Sequence, residues 1–346
     1  MVRYHIKHQR RGFTLIEILV VVGIILLLMT LSVGVLRGAI GTARQHQTEA
    51  TILKVHGLMQ QRLDAFYRAL ERTNLQQAKD KMKRDWYGTY NFVPPDAAIE
   101  VMTKKSIIQS RFPQNYLERN LVTNPPMGAT VIAANHKPIT ESASLLYWIV
   151  TNSEVYGVGP VDESEFSSTE VRDTDGDGLL EFVDGWGRPL RFYRWPTHLF
   201  RPGNTSSSIP PGVDSSGNLV AVDRTFATLI WSGLPAVPTA AGEFDPLVRD
   251  PDDPTGQLLR FVTLNPTALT GVQNFYGTPS TYNAFLIVSA GPDGILGMYE
   301  PSNEATVSIT TPALGVAQGR LGAVIDTNPG NINNNPIIDN ISNRKR

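Results

Sequence analysis

From Ile18 to Leu36 the chain carries no charged residue, and Leu, Ile, Val and Met dominate. About 19 residues at about 1.5 Å each make roughly 28 Å of helix, enough to cross the hydrocarbon core of a bilayer. Beyond Arg44 the pattern changes to that of one helical face. Ile52, Val55, Met59, Leu63, Phe66 and Leu70 recur at steps of three and four, with Lys54, Gln61, Arg62, Asp64 and Arg68 on the polar side. The spacing predicts one long helix, with a membrane half over 13–36 and an amphipathic half over 37–75 whose apolar stripe packs against a sheet.

Residues 76–172 read as a helical, variable region. A helix is predicted from Gln76 to Arg84, broken by Trp86–Tyr90 and by Pro94-Pro95, and two more over 99–121 and 141–150. Short apolar runs bounded by Gly, Pro, Asn and Asp then predict strands at Leu180–Val183, Leu190–Trp195, Thr228–Trp231 and Phe285–Val288. Helices first and strands later argue for an α+β domain, with an antiparallel sheet laid on the long helix over 173–300. Residues 202–218 and 237–256 read as loops, and 301–346, rich in Asn, Thr, Pro and Gly, as a flexible tail.

Charge gives the apolar stretch a direction. Arg3, Lys7, Arg10 and Arg11 precede it, so the positive-inside rule keeps residues 1–12 in the cytoplasm and sends the chain beyond residue 37 outward, against a weaker opposing pull from Arg37 and Arg44. Formal net charge is −1. Removal of residues 1–12, with four of the 31 basic residues, would leave 27 against 32 acidic, or −5, which suggests no nucleic-acid partner. There is no cysteine, so neither a disulfide framework nor a thiolate metal site is available to hold an exported domain together.

Glu17 is the anomaly in this pattern. An ionised carboxylate beside hydrocarbon is costly unless a positive group or hydrogen bonds meet it. Cleavage after Gly12 would create such a group, the α-amino nitrogen of Phe13, in the same chain or in a neighbouring copy. An ordinary secretory signal expects a shorter apolar core and a small-x-small cleavage site, for which Gly41-Thr42-Ala43 is the nearest approximation.

The run RRGFTLIEILVVVGIILLL resembles the signal of type IV pilins and type II secretion pseudopilins. The resemblance implies a pilin-like fold and residues 1–12 as a leader peptide. Gly12 is then the last leader residue, Phe13 the methylated N-terminus, and Glu17 the carboxylate that pairs with the N-terminus of an adjacent subunit. It also implies the partners: prepilin peptidase, copies of the chain and other pseudopilins, and an inner-membrane secretion platform with its assembly ATPase. The place would be the inner membrane, with the C-terminal domain in the periplasm and then in a periplasmic pseudopilus.

Asp173-Thr174-Asp175-Gly176-Asp177-Gly178-Leu179-Leu180-Glu181-Phe182-Val183-Asp184 follows the first half of a calcium loop, with oxygens at positions 1, 3 and 5, glycine at 6 and a carbonyl at 7. Asp173, Asp175, Asp177, Leu179, Glu181 and Asp184 are the candidate ligands of a structural calcium ion. Asp184 stands where a bidentate Glu is usual, and Gly185-Trp186-Gly187 is no helix start, so a helix-paired EF-hand is not expected. The alternative is a solvated acidic turn.

Two further segments, Asp184-Gly185-Trp186-Gly187-Arg188-Pro189 and Ser289-Ala290-Gly291-Pro292-Asp293-Gly294, are similar to elements of the major pseudopilin of type II secretion. In that family the second element opens a calcium-binding loop, which implies Asp293 as a ligand, Ser289 at the start of the turn, and Glu300 or Asn303 as weaker candidates. The roughly ninety residues between the two elements depart from the family's short connection and imply an insertion over about 196–280. The usual acidic pair is also missing after Gly297.

Catalytic patterns are lacking. Ser232 has no preceding glycine of a nucleophile elbow, no histidine pair has metal spacing, and no glycine loop suits phosphate. His46, His56, His136 and His198 read as lone surface histidines, and Asp250, Asp252 and Asp253 as a solvated loop. The expectation is a structural, non-enzymatic pseudopilin subunit. The rivals are a type IV pilin or minor tip pilin, and a membrane-anchored calcium-binding protein that never polymerises.

Overall fold

In the computed structural model the described residues are 14–114, 137–195, 252–253, 255–258, 261, 285–298 and 340–343. The chain divides into two units, residues 1–44 and 45–346. Helix α1 is Leu15–Leu70. In the first unit, Leu15–Ser32 is long and apolar enough to cross a membrane, and its Leu, Ile and Val side chains are exposed along the whole window. Its two hydroxyls are closed on the helix itself: Thr30 Oγ1 donates to the Leu27 carbonyl and Ser32 Oγ to that of Leu28, at 2.8 Å each, which removes their need for a partner in lipid.

In the second unit the predicted stripe is the spine of the core. Ile52, Val55, Met59, Phe66 and Leu70 are buried, and Leu63 is half-buried. Around them lie α2 (Gln76–Tyr90), α3 (Asp96–Arg111) and α4 (Glu141–Thr151). The strands are β1 (Val171–Arg172), β2 (Glu181–Phe182), β3 (Arg191–Tyr193), β4 (Leu286–Ser289) and β5 (Ile341–Ser342). β1 and β2 form an antiparallel ribbon, and β3-β4-β5 an antiparallel sheet in that order. A run of edge-to-face and tilted rings carries the core from helix to sheet: Phe66 to Phe112 at 6.1 Å, Phe112 to Phe285 at 5.0 Å, and Phe285 to Phe192 at 5.4 Å. The architecture is α+β and consistent with a pilin-like fold.

Several expectations change. Arg62, assigned to the polar side of α1, is wholly buried. It lies three residues past Met59, on the stripe, and its guanidinium caps the C-terminal end of α4. Nε donates to Ile149 O at 3.1 Å, and Nη2 to Val150 O at 2.7 Å and Gly159 O at 2.9 Å. The Ile149 and Val150 carbonyls are among those a helix end leaves without intrahelical donors, where a cation is favoured. Burial pulls the Arg62 pKa down, yet guanidinium stays charged.

Helix α2 does not break at Trp86. It runs on to Tyr90 and stops where Asn91 turns left-handed at φ 58°, as Asn does at helix ends. Trp86 is buried against Phe92 and Phe261. Helix α3 stops at Arg111 rather than 121, because Pro113 disfavours helical geometry at Phe112. The expected tail is not free throughout: Ile341 and Ser342 pair with Ser289 and Val288 as an edge strand. Asn343 fastens this end, accepting the Ile287 N–H at 2.9 Å and lying 3.0 Å from His56 Nδ1, so His56 is not a lone surface histidine.

Asp252 and Asp253 are buried, not solvated. Asp253 accepts the N–H groups of Gln257 and Leu258 at 2.7 Å each, and Asp252 lies 3.6 Å from the buried Lys105 ammonium. The strand expected at Thr228–Trp231, the loop at 202–218, most of the 196–280 insertion and the candidates Glu300 and Asn303 lie outside the described residues.

Candidate functional site

Three places bring the sequence-predicted residues into contact with chemistry. At the first, Gly12 and Phe13 lie outside the described residues, and Glu17 sits in the first turn of α1. Its carboxylate has partners in its own chain. The Thr14 N–H and the Thr14 hydroxyl both donate to Glu17 Oε2 at 2.8 Å, and the Glu17 N–H reaches back to Thr14 Oγ1 at 3.3 Å. This is a capping box, with a negative group at the positive end of a helix. The T-x-x-E spacing was there to be read in the sequence. Cleavage after Gly12 would leave the Thr14 amide in place.

The second place is the acidic loop between β1 and β2. Carboxylate oxygens of Asp173, Asp175, Asp177 and Glu181 all lie within 4.8 Å of one another. The loop is folded by its own side chains: Asp173 accepts the Gly176 and Gly178 N–H groups at 2.7 and 3.0 Å, and Asp177 that of Leu179 at 2.8 Å. Gly178 has φ 89°, a left-handed turn that L side chains rarely adopt. Glu181 arrives by strand alternation. Neighbouring side chains on β2 point to opposite faces, so Phe182 enters the core against Tyr147 and Phe166 while Glu181 turns into the loop.

Glu181 is fully buried. Its Oε2 accepts the Thr174 N–H at 2.8 Å, but Oε1 has no hydrogen-bond partner among the described residues. Burial pushes its carboxyl up to about 7, a rise opposed by the Thr174 N–H and reinforced by the Asp175 and Asp177 charges. Asp175 ties the loop to a second element, accepting the Lys137 N–H at 3.0 Å and the Thr140 hydroxyl at 2.8 Å just ahead of α4.

Asp184 and Asp293 are not members of this group. Asp184 closes the next turn, where one oxygen accepts the Trp186 and Arg188 N–H groups at 2.9 Å each and the other accepts the Ser289 hydroxyl at 2.7 Å. With both oxygens hydrogen-bonded and the residue 1 % exposed, it locks this turn to the exit of β4.

That lock is the third place, and it joins the two segments of the second resemblance. Ser289 Oγ accepts the Gly291 N–H at 3.0 Å, and Arg188 Nη1 donates to the Gly291 carbonyl at 2.7 Å. Gly294, at φ 76°, leaves the space that the Arg188 guanidinium occupies. Asp293 accepts the Ile295 N–H at 2.7 Å in the turn beyond.

Residues 7–33 match the family model of the prokaryotic N-terminal methylation motif, a stretch that takes in Gly12, Phe13 and Glu17. No curated protein and no solved structure matches the chain. The motif at the head of an apolar helix supports a type IV pilin-like, prepilin-processed protein.

Proposed function

We propose that the chain is a pseudopilin-like structural subunit of a type II secretion pseudopilus. The observation that carries this reading is the methylation motif at residues 7–33 running directly into the exposed apolar window Leu15–Ser32 with a single carboxylate, Glu17, at its head. The precursor is held in the inner membrane with the basic leader inside. It is cut after Gly12, methylated on Phe13 and drawn into a filament whose core is a bundle of these helices. The choice of a pseudopilin over another pilin rests on the Asp184–Ser289 and Arg188–Gly291 contacts, which join the two segments that resemble the major pseudopilin.

Function here is assembly. Glu17 meets the Phe13 amine of a neighbouring copy, which offsets both charges at the lipid boundary and sets the stagger between subunits. Glu17→Ala is expected to leave cleavage intact and to abolish incorporation into filaments, measured by N-terminal mass spectrometry together with the filament fraction sheared from cells. Normal assembly of that variant would remove the pairing model.

A second reading, a membrane-anchored protein that never polymerises, is favoured by the Thr14 capping box, because a lone helix can then hold Glu17 without a neighbour. An intact N-terminus at Met1, or one beyond residue 43, would select it.

A further inference from the structure

We propose that Asp173, Asp175, Asp177 and Glu181 bind one calcium ion, in a loop that closes on the buried Glu181 carboxylate at its ninth position instead of on Asp184 at its twelfth. Clustered carboxylates alone do not make a site. The independent observation is Glu181 Oε1, an acceptor inside a fully buried side chain, without a hydrogen-bond partner among the described residues, on a carboxylate that converges with three others. Native folds pair their buried polar atoms, and an exception asks for a missing donor or ion. A group that accepts electron pairs from all four side chains at once answers both the orphan oxygen and the crowding of carboxylates, and such a group is a cation.

Size points to calcium. Calcium takes oxygen ligands at about 2.3–2.6 Å, so oxygens on opposite sides of it stand roughly 5 Å apart, whereas magnesium at about 2.1 Å needs them near 4 Å and in strict octahedral order. The four oxygens here lie within 4.8 Å of one another, a spread that calcium's contact distances accommodate, and they belong to a loop with the D-x-D-x-D-G order of a calcium loop. Asp184 is left out of the set because its carboxylate is not among the four that converge and is held in the next turn by Trp186, Arg188 and Ser289.

The ion's role is mechanical. It ties the loop to β2, whose Glu181 pairs with Arg172 across the ribbon. Through Asp175 it also reaches Lys137 and Thr140 at the start of α4. In a chain without cysteine this is a cross-link of three elements. The inference is independent of the pilin reading and stands or falls separately from it.

The test uses the full chain in detergent, stripped with EDTA, with calcium counted by equilibrium dialysis and unfolding followed by tryptophan fluorescence. Wild type is expected to bind one calcium at this loop with a dissociation constant in or below the millimolar range typical of extracellular sites, and to unfold at higher temperature with calcium than with equal magnesium. Glu181→Gln gives the discriminating sign. Its amide supplies donors to the facing carboxylates, so the variant should be more stable than wild type in EDTA, less stable than wild type in calcium, and at least about 10-fold weaker in binding. Asp173→Asn serves as the second variant and should lose binding while near-UV circular dichroism reports its fold. Absence of calcium binding by wild type, equal affinity for magnesium, or undiminished binding in both variants would overturn the proposal.

Discussion

Glu17 and Glu181 are both carboxylates in places that disfavour charge, and the two regions treat them in opposite ways. At the head of α1 the chain closes the group on itself, with two donors from Thr14 and the positive end of a helix. In the acidic loop Glu181 is sealed from solvent, with one oxygen lacking a hydrogen-bond partner among the described residues, and that burial, reinforced by two Asp charges, raises its pKa. From sequence, Glu17 is the group expected to need an outside partner, since lipid is the more hostile solvent. The structure reverses the urgency. Hydrophobic surroundings do not by themselves leave a charge open; what decides is whether the local backbone has donors to spare, and a helix start does.

The comparison is sharpest if charges closed within the fold prove indispensable to it. Arg62 is the strongest case, a buried guanidinium shared among the carbonyls of Leu58, Ile149, Val150 and Gly159. Arg62→Ala removes the cap of α4 and leaves a cavity in the stripe of α1, which should cost about 3–5 kcal/mol and lower the unfolding temperature more than any other substitution discussed. Arg62→Met, which keeps most of the volume, should cost less. If the alanine variant unfolds within a degree or two of wild type, the closed charge is dispensable and the contrast with Glu181 loses its meaning.

Asp184 should come next. It is closed by three donors, so Asp184→Ala leaves two backbone N–H groups and a hydroxyl without an acceptor, a loss of about 3 kcal/mol. Because the Ser289 bond joins the β2–β3 turn to the exit of β4, Ser289→Ala should be non-additive with it in a double-mutant cycle, by about 1 kcal/mol. Calcium binding by the folded Asp184 variant should be retained. Loss of binding there, with an intact fold, would place Asp184 among the ligands after all.

What could be read from the sequence follows from how local each signal is. The apolar window, the stripe of α1 and the D-x-D-x-D-G loop are periodic or contiguous, so residue order alone shows them. Arg62 is invisible to that logic, because a charged residue on an apolar stripe is assigned to the polar face unless its distant acceptors, the last carbonyls of α4, are known. The same holds for Ile341–Ser342, whose strand character comes from pairing with β4 across a long stretch of chain and not from its own composition. Asp184 shows a third kind of distance: its place in the twelve-residue count is visible in the residue order, while its engagement with Ser289, 105 residues on, is not. The T-x-x-E box of Thr14 and Glu17 is local and contiguous, and so belongs with the signals that residue order alone shows.

The smallest expected effect separates the two accounts of Glu17. Thr14→Val removes one of the donors to Oε2 and the acceptor of the Glu17 N–H, but keeps the Thr14 amide and the carboxylate. If Glu17 acts in assembly through the Phe13 amine of a neighbour, loosening its local hold costs nothing there, and Thr14→Val chains should enter sheared filaments at close to the wild-type level while Glu17→Ala chains do not. If the capping box is instead the whole purpose of Glu17, the two variants should fall together, since each breaks the same box. Both must still be cut after Gly12, which N-terminal mass spectrometry checks, so that a processing defect is not mistaken for one in assembly. The expected result is the split, because a carboxylate that has lost a hydroxyl donor has more capacity, not less, for an arriving ammonium.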